Sequence, residues 1–328
     1  NAVDLSQVVH LTPKEASRKT INPMLTEEIQ HIQRTGGTWS ELFNRLALHN
    51  QIPILGALLW YLMLVILGIV FYPLTSLIFR GLADRGYSIS KIIGLFAFAW
   101  CVWVLGSVGV VVSRTIITLV FIGLLIINAV AAIKQKEHLL EQISSNKKYI
   151  FYIEIISFAL FVIFLAIRLG NPDLWHPYKG GEKPMDFSYL NAIIKSNVYP
   201  PYDPWFAGGY INYYYYGFVI YGVLIKWLGI IPSIGYNLLL ITVFCFTGLG
   251  VFTIGWNLYD VFNQRVKQFS LSDIVAGKKC QPIYAYLAGI GAVVLYQFVG
   301  NLGTVRMIWQ GFQRLADGYF EDAGIIAK

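Results

Sequence analysis

The fold class is decided by residues 92–133, IIGLFAFAWCVWVLGSVGVVVSRTIITLVFIGLLIINAVAAI. This stretch contains one charged residue, Arg114, and is about twice as long as the roughly 20 apolar residues that cross a bilayer as a helix. Gly106 and Gly109 interrupt it and predict a tight helical hairpin, with Arg114 near an interface that its long side chain can reach. The continuous apolar pattern indicates helices, because barrel strands alternate with period two.

Similar apolar runs recur on both sides of this hairpin. They cover about residues 52–79, 149–169, 213–229, 237–258 and 283–300. Of the 328 residues only 13% are charged, about half the usual share in soluble proteins. The sequence therefore predicts an all-α, polytopic transmembrane protein with about seven spans. Three scattered cysteines without CxxC spacing indicate neither a disulfide framework nor a zinc site.

The net charge of +7 is concentrated in short connections between the apolar runs. This distribution favours helix orientation by the positive-inside rule and argues against nucleic acid as a partner. With connections 80–91 and 134–148 in the cytoplasm, loop 170–212 faces outside. Simple alternation would also put the basic connection 259–282 outside. A basic connection outside conflicts with the positive-inside rule. Either run 213–229 or run 237–258 therefore does not fully cross the membrane, or the connection 259–282 is a local exception to the rule.

Three domains are expected along the chain. Residues 1–50 form a polar, amphipathic N-terminal arm, which lies on the membrane surface or packs on a partner. Residues 51–148 form a three-span membrane module, and residues 149–328 form a second module that contains the external loop 170–212. The chain does not begin with Met and stops shortly after an apolar run, so we expect a segment of a longer protein that is truncated at its C-terminus.

Residues 171–217, NPDLWHPYKGGEKPMDFSYLNAIIKSNVYPPYDPWFAGGYINYYYYG, form a polar and aromatic loop. Pro184 suits the first turn of a helix that contains Asp186, with Glu182 four residues earlier. An apolar stripe on this helix predicts that it lies along the membrane surface. Asp186 is then either an acid that activates an acceptor hydroxyl or amide, or a helix cap. His176 and Asp173 alone are too weak a pair to predict a metal site.

Aromatic residues dominate the second half of the loop. Tyr202 to Tyr210 predict a rigid turn whose rings could stack on sugar. The alternative is an interfacial aromatic belt, which is favoured for Tyr213–Tyr216. Within the run at 149–169, Glu154 is an intramembrane acid explained by solvation or pairing, and Arg168 is a phosphate ligand or an anchor.

Two segments, NPDLWHPYKGGEKPMDFSYLNAIIKS and YPPYDPWFAGGYINYYYYGF, closely resemble the prokaryotic membrane family named for its tyrosine run, the Chlor_Arch_YYY or DUF2298 family. Residues 79–105 and 299–306 also resemble it, so the resemblance covers about residues 55–310. That family is in turn similar to the GT-C superfamily of polytopic glycosyltransferases, which use sugars linked to lipid phosphates.

The resemblance implies a GT-C-like fold in the prokaryotic plasma membrane, with a large external loop that contains surface helices. It implies transfer of a sugar from a polyprenyl-phosphate donor at the outer face, with Asp186 as the catalytic base or acceptor-orienting acid and Glu182 assisting. Candidate substrate ligands are Arg168, Lys179 and Lys183 for the donor phosphate, and Asp203, Trp205 and Tyr210 for the sugar. Arg168 comes first because its charge is permanent. Membrane lipid and the lipid-linked sugar are the expected partners, and a divalent cation stays open as cofactor.

Two other functions are compatible with these residues. A non-enzymatic scaffold or accessory subunit would use the aromatic loop and the arm to contact other membrane proteins. A transporter would need polar groups that face each other inside the spans, and most of the apolar runs offer almost none.

Overall fold

The computed structural model describes residues 12, 24–35, 39–172, 174, 182–269 and 282–301, together with 303, 306, 309–311 and 313. It is about 77% helical. The described residues contain no strand, only the isolated antiparallel bridges Met24 to Gly209 and Tyr202 to Tyr210. The predicted all-α class is confirmed.

Eleven α-helices occur in the described part of the chain. They are α1 (Glu27–Arg34), α2 (Trp39–Leu42), α3 (Leu48–Gln51), α4 (Pro53–Ile78), α5 (Ser90–Ser107), α6 (Arg114–Lys134), α7 (Lys136–Gly170), α8 (Lys183–Lys195), α9 (Tyr216–Leu228), α10 (Pro232–Phe269) and α11 (Pro282–Gln297). A 3₁₀ turn at Val299–Asn301 follows.

Within the described ranges, five helices are long and apolar enough to cross a membrane: α4, α5, α6, α7 and α10. Helices α9 and α11 are apolar but shorter. These seven helices include the seven predicted apolar runs. Helix α7 already begins at Lys136 and α10 continues to Phe269, so most of the predicted connection 134–148 and the first part of 259–282 are helical. The predicted hairpin is confirmed as α5 and α6, joined by residues 108–113.

The chain folds into two compact units. The first unit comprises Asn1–Gln51, Ala99–Val120 and Leu174–Ser233, and the second comprises Ile52–Phe98, Phe121–Asp173 and Ile234–Lys328. The first unit therefore contains the arm and the polar loop, and the second contains most of the residues of the five long helices.

The second unit contains an ion pair between a buried lysine and a partly exposed glutamate. Lys91 of α5 is only 2% exposed, and its Nζ lies 2.5 Å from Glu154 Oε1 of α7. Tyr87 OH donates to the same oxygen at 2.9 Å. Glu154, the acid in the 149–169 run, is thus paired. The two donors replace hydrogen bonds to water that its carboxylate loses inside the protein.

The connection between α4 and α5 is organised by a second buried carboxylate. Asp84, 3% exposed, accepts hydrogen bonds from Ser88 Oγ at 2.5 Å and from Tyr149 OH of α7 at 3.0 Å. The Gly86 N–H donates to its other oxygen at 3.1 Å. The connection therefore folds onto the helices of its own unit, and its acid replaces lost hydration with protein donors.

The N-terminal arm packs on the polar loop within the first unit. Gln33 Nε2 of α1 donates to the Val198 carbonyl at 2.9 Å, and Gln33 Oε1 accepts the Asn197 N–H at 2.7 Å. The Leu25 N–H donates to the Gly208 carbonyl at 2.9 Å. The arm therefore contacts the loop of its own chain, and its position on a membrane surface or on a partner stays a prediction.

Both ends of helix α9 contact residues close to the connection 108–113, which joins α5 to α6 in the first unit. At its start, Trp103 Nε1 near the end of α5 donates to Tyr215 OH at 3.0 Å. At its end, Arg114 Nε at the start of α6 donates to the Lys226 carbonyl at 2.8 Å. Its 13 residues span about 20 Å, less than the ~30 Å of a hydrocarbon core. This geometry favours the alternative in which run 213–229 does not cross.

Replacing Glu154 by Leu should lower the free energy of unfolding by about 3 kcal/mol, because Lys91 would remain buried without its partner. The double variant Lys91→Met/Glu154→Leu should regain most of this loss. Denaturant unfolding in detergent measures both. Tyr87→Phe, which removes one donor and no charge, is the milder control, and a Glu154→Leu chain as stable as the parent would contradict the assignment.

If α9 does not cross, connections 79–89 and 259–282 share one side of the membrane. In a chain with Cys101 and Cys245 replaced by Ala, Cys280 and an introduced Ala83→Cys should both be protected from an impermeable maleimide that labels Ala207→Cys. Labelling of Cys280 together with Ala207→Cys would mean that α9 crosses. A permeable maleimide controls for reactivity.

Candidate functional site

The loop helix α8 begins as its sequence predicts. It starts at Lys183, with Pro184 in its first turn, and Glu182 is the N-cap residue. Asp186 lies in the first turn, and its N–H donates to the Glu182 carbonyl at 2.9 Å. Because Asp186 is inside the helix and not at the N-cap, the capping interpretation does not describe its position.

Helix α8 packs against α9 through its apolar stripe. Leu190, Ile193 and Ile194 are buried. Gly222 of α9 allows this close approach, because a Cβ there would lie 3.2 Å from Ile193 Cγ2. The stripe that predicted a helix on the membrane surface therefore contacts protein, and this packing fixes the direction in which Asp186 projects.

A short hairpin at residues 201–211 carries the exposed aromatic turn. Asp203 Oδ1 accepts the N–H groups of Trp205 at 2.8 Å and Phe206 at 3.2 Å. The Trp205 indole is 65% exposed, and its Nε1 donates to Ser188 Oγ of α8 at 2.9 Å. Asp203 thus shapes the turn that holds Trp205 against the helix of Asp186.

Two tyrosines outside the predicted site residues lie near the acids: Tyr189, and Tyr214, which the sequence assigned to an interfacial belt. Tyr189 follows Asp186 by three residues, and its ring centroid lies 6.5 Å from that of Tyr214. Tyr214 packs edge-on against Tyr213 at 4.4 Å and has a φ of 27°. Such a backbone is strained for a bulky residue, and strain of this kind concentrates at functional sites. The sequence signal that could have identified Tyr189 is its spacing of three residues from Asp186, which places both side chains on one face of a helix.

Neighbouring charges and burial act on Asp186 and Tyr189. Burial and, secondarily, the charge of Glu182 raise the pKa of the Asp186 carboxyl. Burial followed by the charges of Asp203 and Asp186 raises the pKa of Tyr189. The loop helix and the hairpin therefore bring Glu182, Asp186 and Asp203 into one electrostatic neighbourhood, with an exposed indole nearby. A carboxylate whose pKa is raised toward neutrality is a better general base than an ordinary one.

The other predicted ligands are distributed differently. Lys183 is half-buried at the start of α8, and Tyr210 pairs with Tyr202 in the hairpin. Arg168 belongs to the second unit, where it is buried and its Nε donates to Asn237 Oδ1 at 2.7 Å. Lys179, Asp173 and His176 lie outside the described residues. No group of three or more His, Cys, Asp or Glu side chains that could hold a metal occurs in the described part.

The model of one protein family, described as "Uncharacterized membrane protein (DUF2298)", matches residues 97–323. The chain belongs to the DUF2298 family. The match includes every residue proposed for the site and leaves the arm and α4 outside. It begins later than the 55–310 expected from the motifs and extends further toward the C-terminus. No curated protein and no solved structure matches this DUF2298 chain.

Dicyclohexylcarbodiimide, which attacks protonated carboxyl groups, should report the raised pKa of Asp186 in this DUF2298 protein. A raised pKa keeps the acid protonated to higher pH, so modification of Asp186 should persist as the pH increases. Glu182→Gln removes a neighbouring negative charge. It should therefore move the midpoint, the pH at which half of Asp186 is modified, to a lower value. Peptide mass spectrometry measures the modified fraction. Glu141→Gln, an exposed acid on α7, should leave the midpoint unchanged, and an identical midpoint in Glu182→Gln would contradict the coupling.

Proposed function

We propose that this membrane protein is a glycosyltransferase of GT-C type that transfers a sugar from a polyprenyl-phosphate donor at the outer face of a prokaryotic plasma membrane. The observation that carries the proposal is Asp186. It is a half-buried carboxyl with a raised pKa, it lies in the first turn of a packed helix, and Glu182 and an exposed aromatic turn lie beside it. Perturbed acids in such surroundings are typical of catalytic sites.

The reaction uses Asp186 as a general base. Its carboxylate takes the proton of an acceptor hydroxyl or amide while the acceptor oxygen or nitrogen bonds to the anomeric carbon of the sugar. The bond between that carbon and the phosphate oxygen breaks, and polyprenyl phosphate leaves with the electron pair. Glu182 raises the pKa of the base and would bind a divalent cation where one takes part.

Substrate contacts come from cations and aromatic rings. Arg168, Lys183 and Lys179 are the proposed ligands of the donor phosphate, with Arg168 first because a guanidinium forms bidentate bonds to phosphate. Trp205 and Tyr210 are proposed to stack on the sugar. The exposed indole of Trp205, steadied by Ser188 and by the Asp203 turn, supports this role.

The outer location of the loop is supported by charge and helix length. If the 13-residue helix α9 does not cross, residues 79–89, 134–148 and 259–282 would share one side. The second of these segments includes the start of α7 and the third includes the end of α10, and the three carry many of the lysines and arginines that lie between apolar runs. The positive-inside rule puts that side in the cytoplasm and the loop outside.

A scaffold or accessory subunit is the second candidate. Its support is the exposure of several rings of the loop, notably Trp205 at 65% and Tyr213 at 70%. Exposed aromatic clusters are typical of surfaces that contact another protein. This function needs no base at position 186, so the variant Asp186→Asn separates the two candidates.

Asp186→Asn should reduce sugar transfer by at least about a hundredfold, since the amide keeps the shape of the side chain but accepts no proton. Transfer is measured in membranes supplied with polyprenyl-phosphate sugars, and the glycan profile of a complemented deletion strain provides the cellular readout. Glu141→Gln is the matched control and should retain full transfer. Full restoration of the glycans by Asp186→Asn would eliminate the enzymatic proposal and favour the scaffold.

A further inference from the structure

Two cavities of the first unit lie beside residues of α8 other than Asp186. The larger, about 610 Å³, is lined by aromatic rings together with Arg45 and Asn191. The smaller, about 380 Å³, is lined by Arg34, Lys195 and Tyr202, among others. They share no lining residue, but Lys195 Nζ of the smaller one lies 5.8 Å from the Trp39 ring centroid of the larger one. We name the two together the basic cavity, and their volumes are within the usual range of ligand sites.

The charge of the basic cavity has one sign. Arg34, Arg45 and Lys195 contribute three cations, and no Asp or Glu occurs among the described residues that line it. None of the three forms an ion pair within the described part of the chain. Cations gathered without protein counter-charges attract an anion, and guanidinium groups suit phosphate oxygens in particular.

The walls of the cavity are built from segments distant in sequence. Phe187, Asn191 and Lys195 are spaced by four residues and form one stripe of α8, which faces the arm. On the arm side, Trp39 and Phe43 stack with ring centroids 6.0 Å apart. The arm lies outside the DUF2298 match, so this cavity depends on residues that the family model does not contain.

The larger cavity also lies where the chain enters two membrane helices. Asn50 on its wall precedes the start of α4 by three residues, and residues 231–233 on its wall include Pro232, the first residue of α10. Both α4 and α10 are long enough to span. Aromatic residues and cations at the end of a span lie at the depth of lipid headgroups.

We propose that the basic cavity binds the phosphate headgroup of an anionic membrane lipid, with Arg34, Arg45 and Lys195 contacting phosphate oxygens and Trp39 and Phe43 contacting the glycerol and upper acyl carbons. The site is independent of the transfer reaction proposed for Asp186, because it uses none of the residues assigned to that reaction. It gives the N-terminal arm a binding function.

Trp39 provides a local probe of occupancy. The full chain in detergent is titrated with dihexanoyl phosphatidic acid, and the fluorescence of a Trp39→Phe chain is subtracted so that only the cavity is reported. Parallel titrations use dihexanoyl phosphatidylcholine and inorganic phosphate. The charge-removal variant is Arg34→Gln/Arg45→Gln/Lys195→Gln. The matched control, Lys134→Gln/Lys147→Gln/Lys148→Gln, removes the same charge from exposed positions of α6 and α7.

Phosphatidic acid should bind the parent chain, and the charge-removal variant should weaken that binding by at least about tenfold. The control should stay within about twofold of the parent. Arg45→Gln alone, at an exposed position where misfolding is not expected, should weaken binding by about threefold or more. Equal binding by parent and charge-removal variant overturns the proposal. Equal affinity for phosphatidylcholine overturns the role of charge, and equal affinity for inorganic phosphate overturns the lipid as its source.

Discussion

Hydrocarbon offers no hydrogen-bond partner, so every peptide group that enters it must be satisfied within the chain. That constraint makes the long apolar segments of this DUF2298 protein helical and sets the minimum length of a span. It also explains the treatment of charge in the second unit. Lys91 and Glu154 are paired, and Asp84 is surrounded by hydroxyl and amide donors, because an isolated charge would be costly there.

The same constraint bears on α9, which is apolar but shorter than the five candidate spans. All residues from Val219 to Lys226 are buried within the structure, and the ammonium of Lys226 donates to the Ser196 carbonyl at 3.1 Å. A helix that is apolar on every side is typical of a protein interior as well as of a bilayer. By packing on α8, this helix supports the loop from which Asp186 projects, so the candidate site depends on a segment that resembles a span.

Local spacing predicted much of the candidate site. Pro184 predicted the start of α8, the position of Asp186 in its first turn followed, and the sequence between Tyr202 and Tyr210 predicted the aromatic turn. These features depend on neighbours within a few residues, which a sequence displays directly. Tyr214 was interpreted as part of an interfacial belt because its proximity to the ring of Tyr189, 25 residues away, is invisible to local patterns.

Hydropathy by itself determined the all-α membrane class and the positions of the seven apolar helices, since the transfer of a side chain from water depends on its own chemistry and on run length. Only the tertiary structure decided which apolar run is buried in protein, where the arm packs, and which acids and cations become neighbours. The physical reason is that Gln33 with Asn197, Gly222 with Ile193, and Arg34 with Lys195 are brought together by packing across long sequence separations. Such contacts depend on the whole fold and leave no periodic trace in the chain.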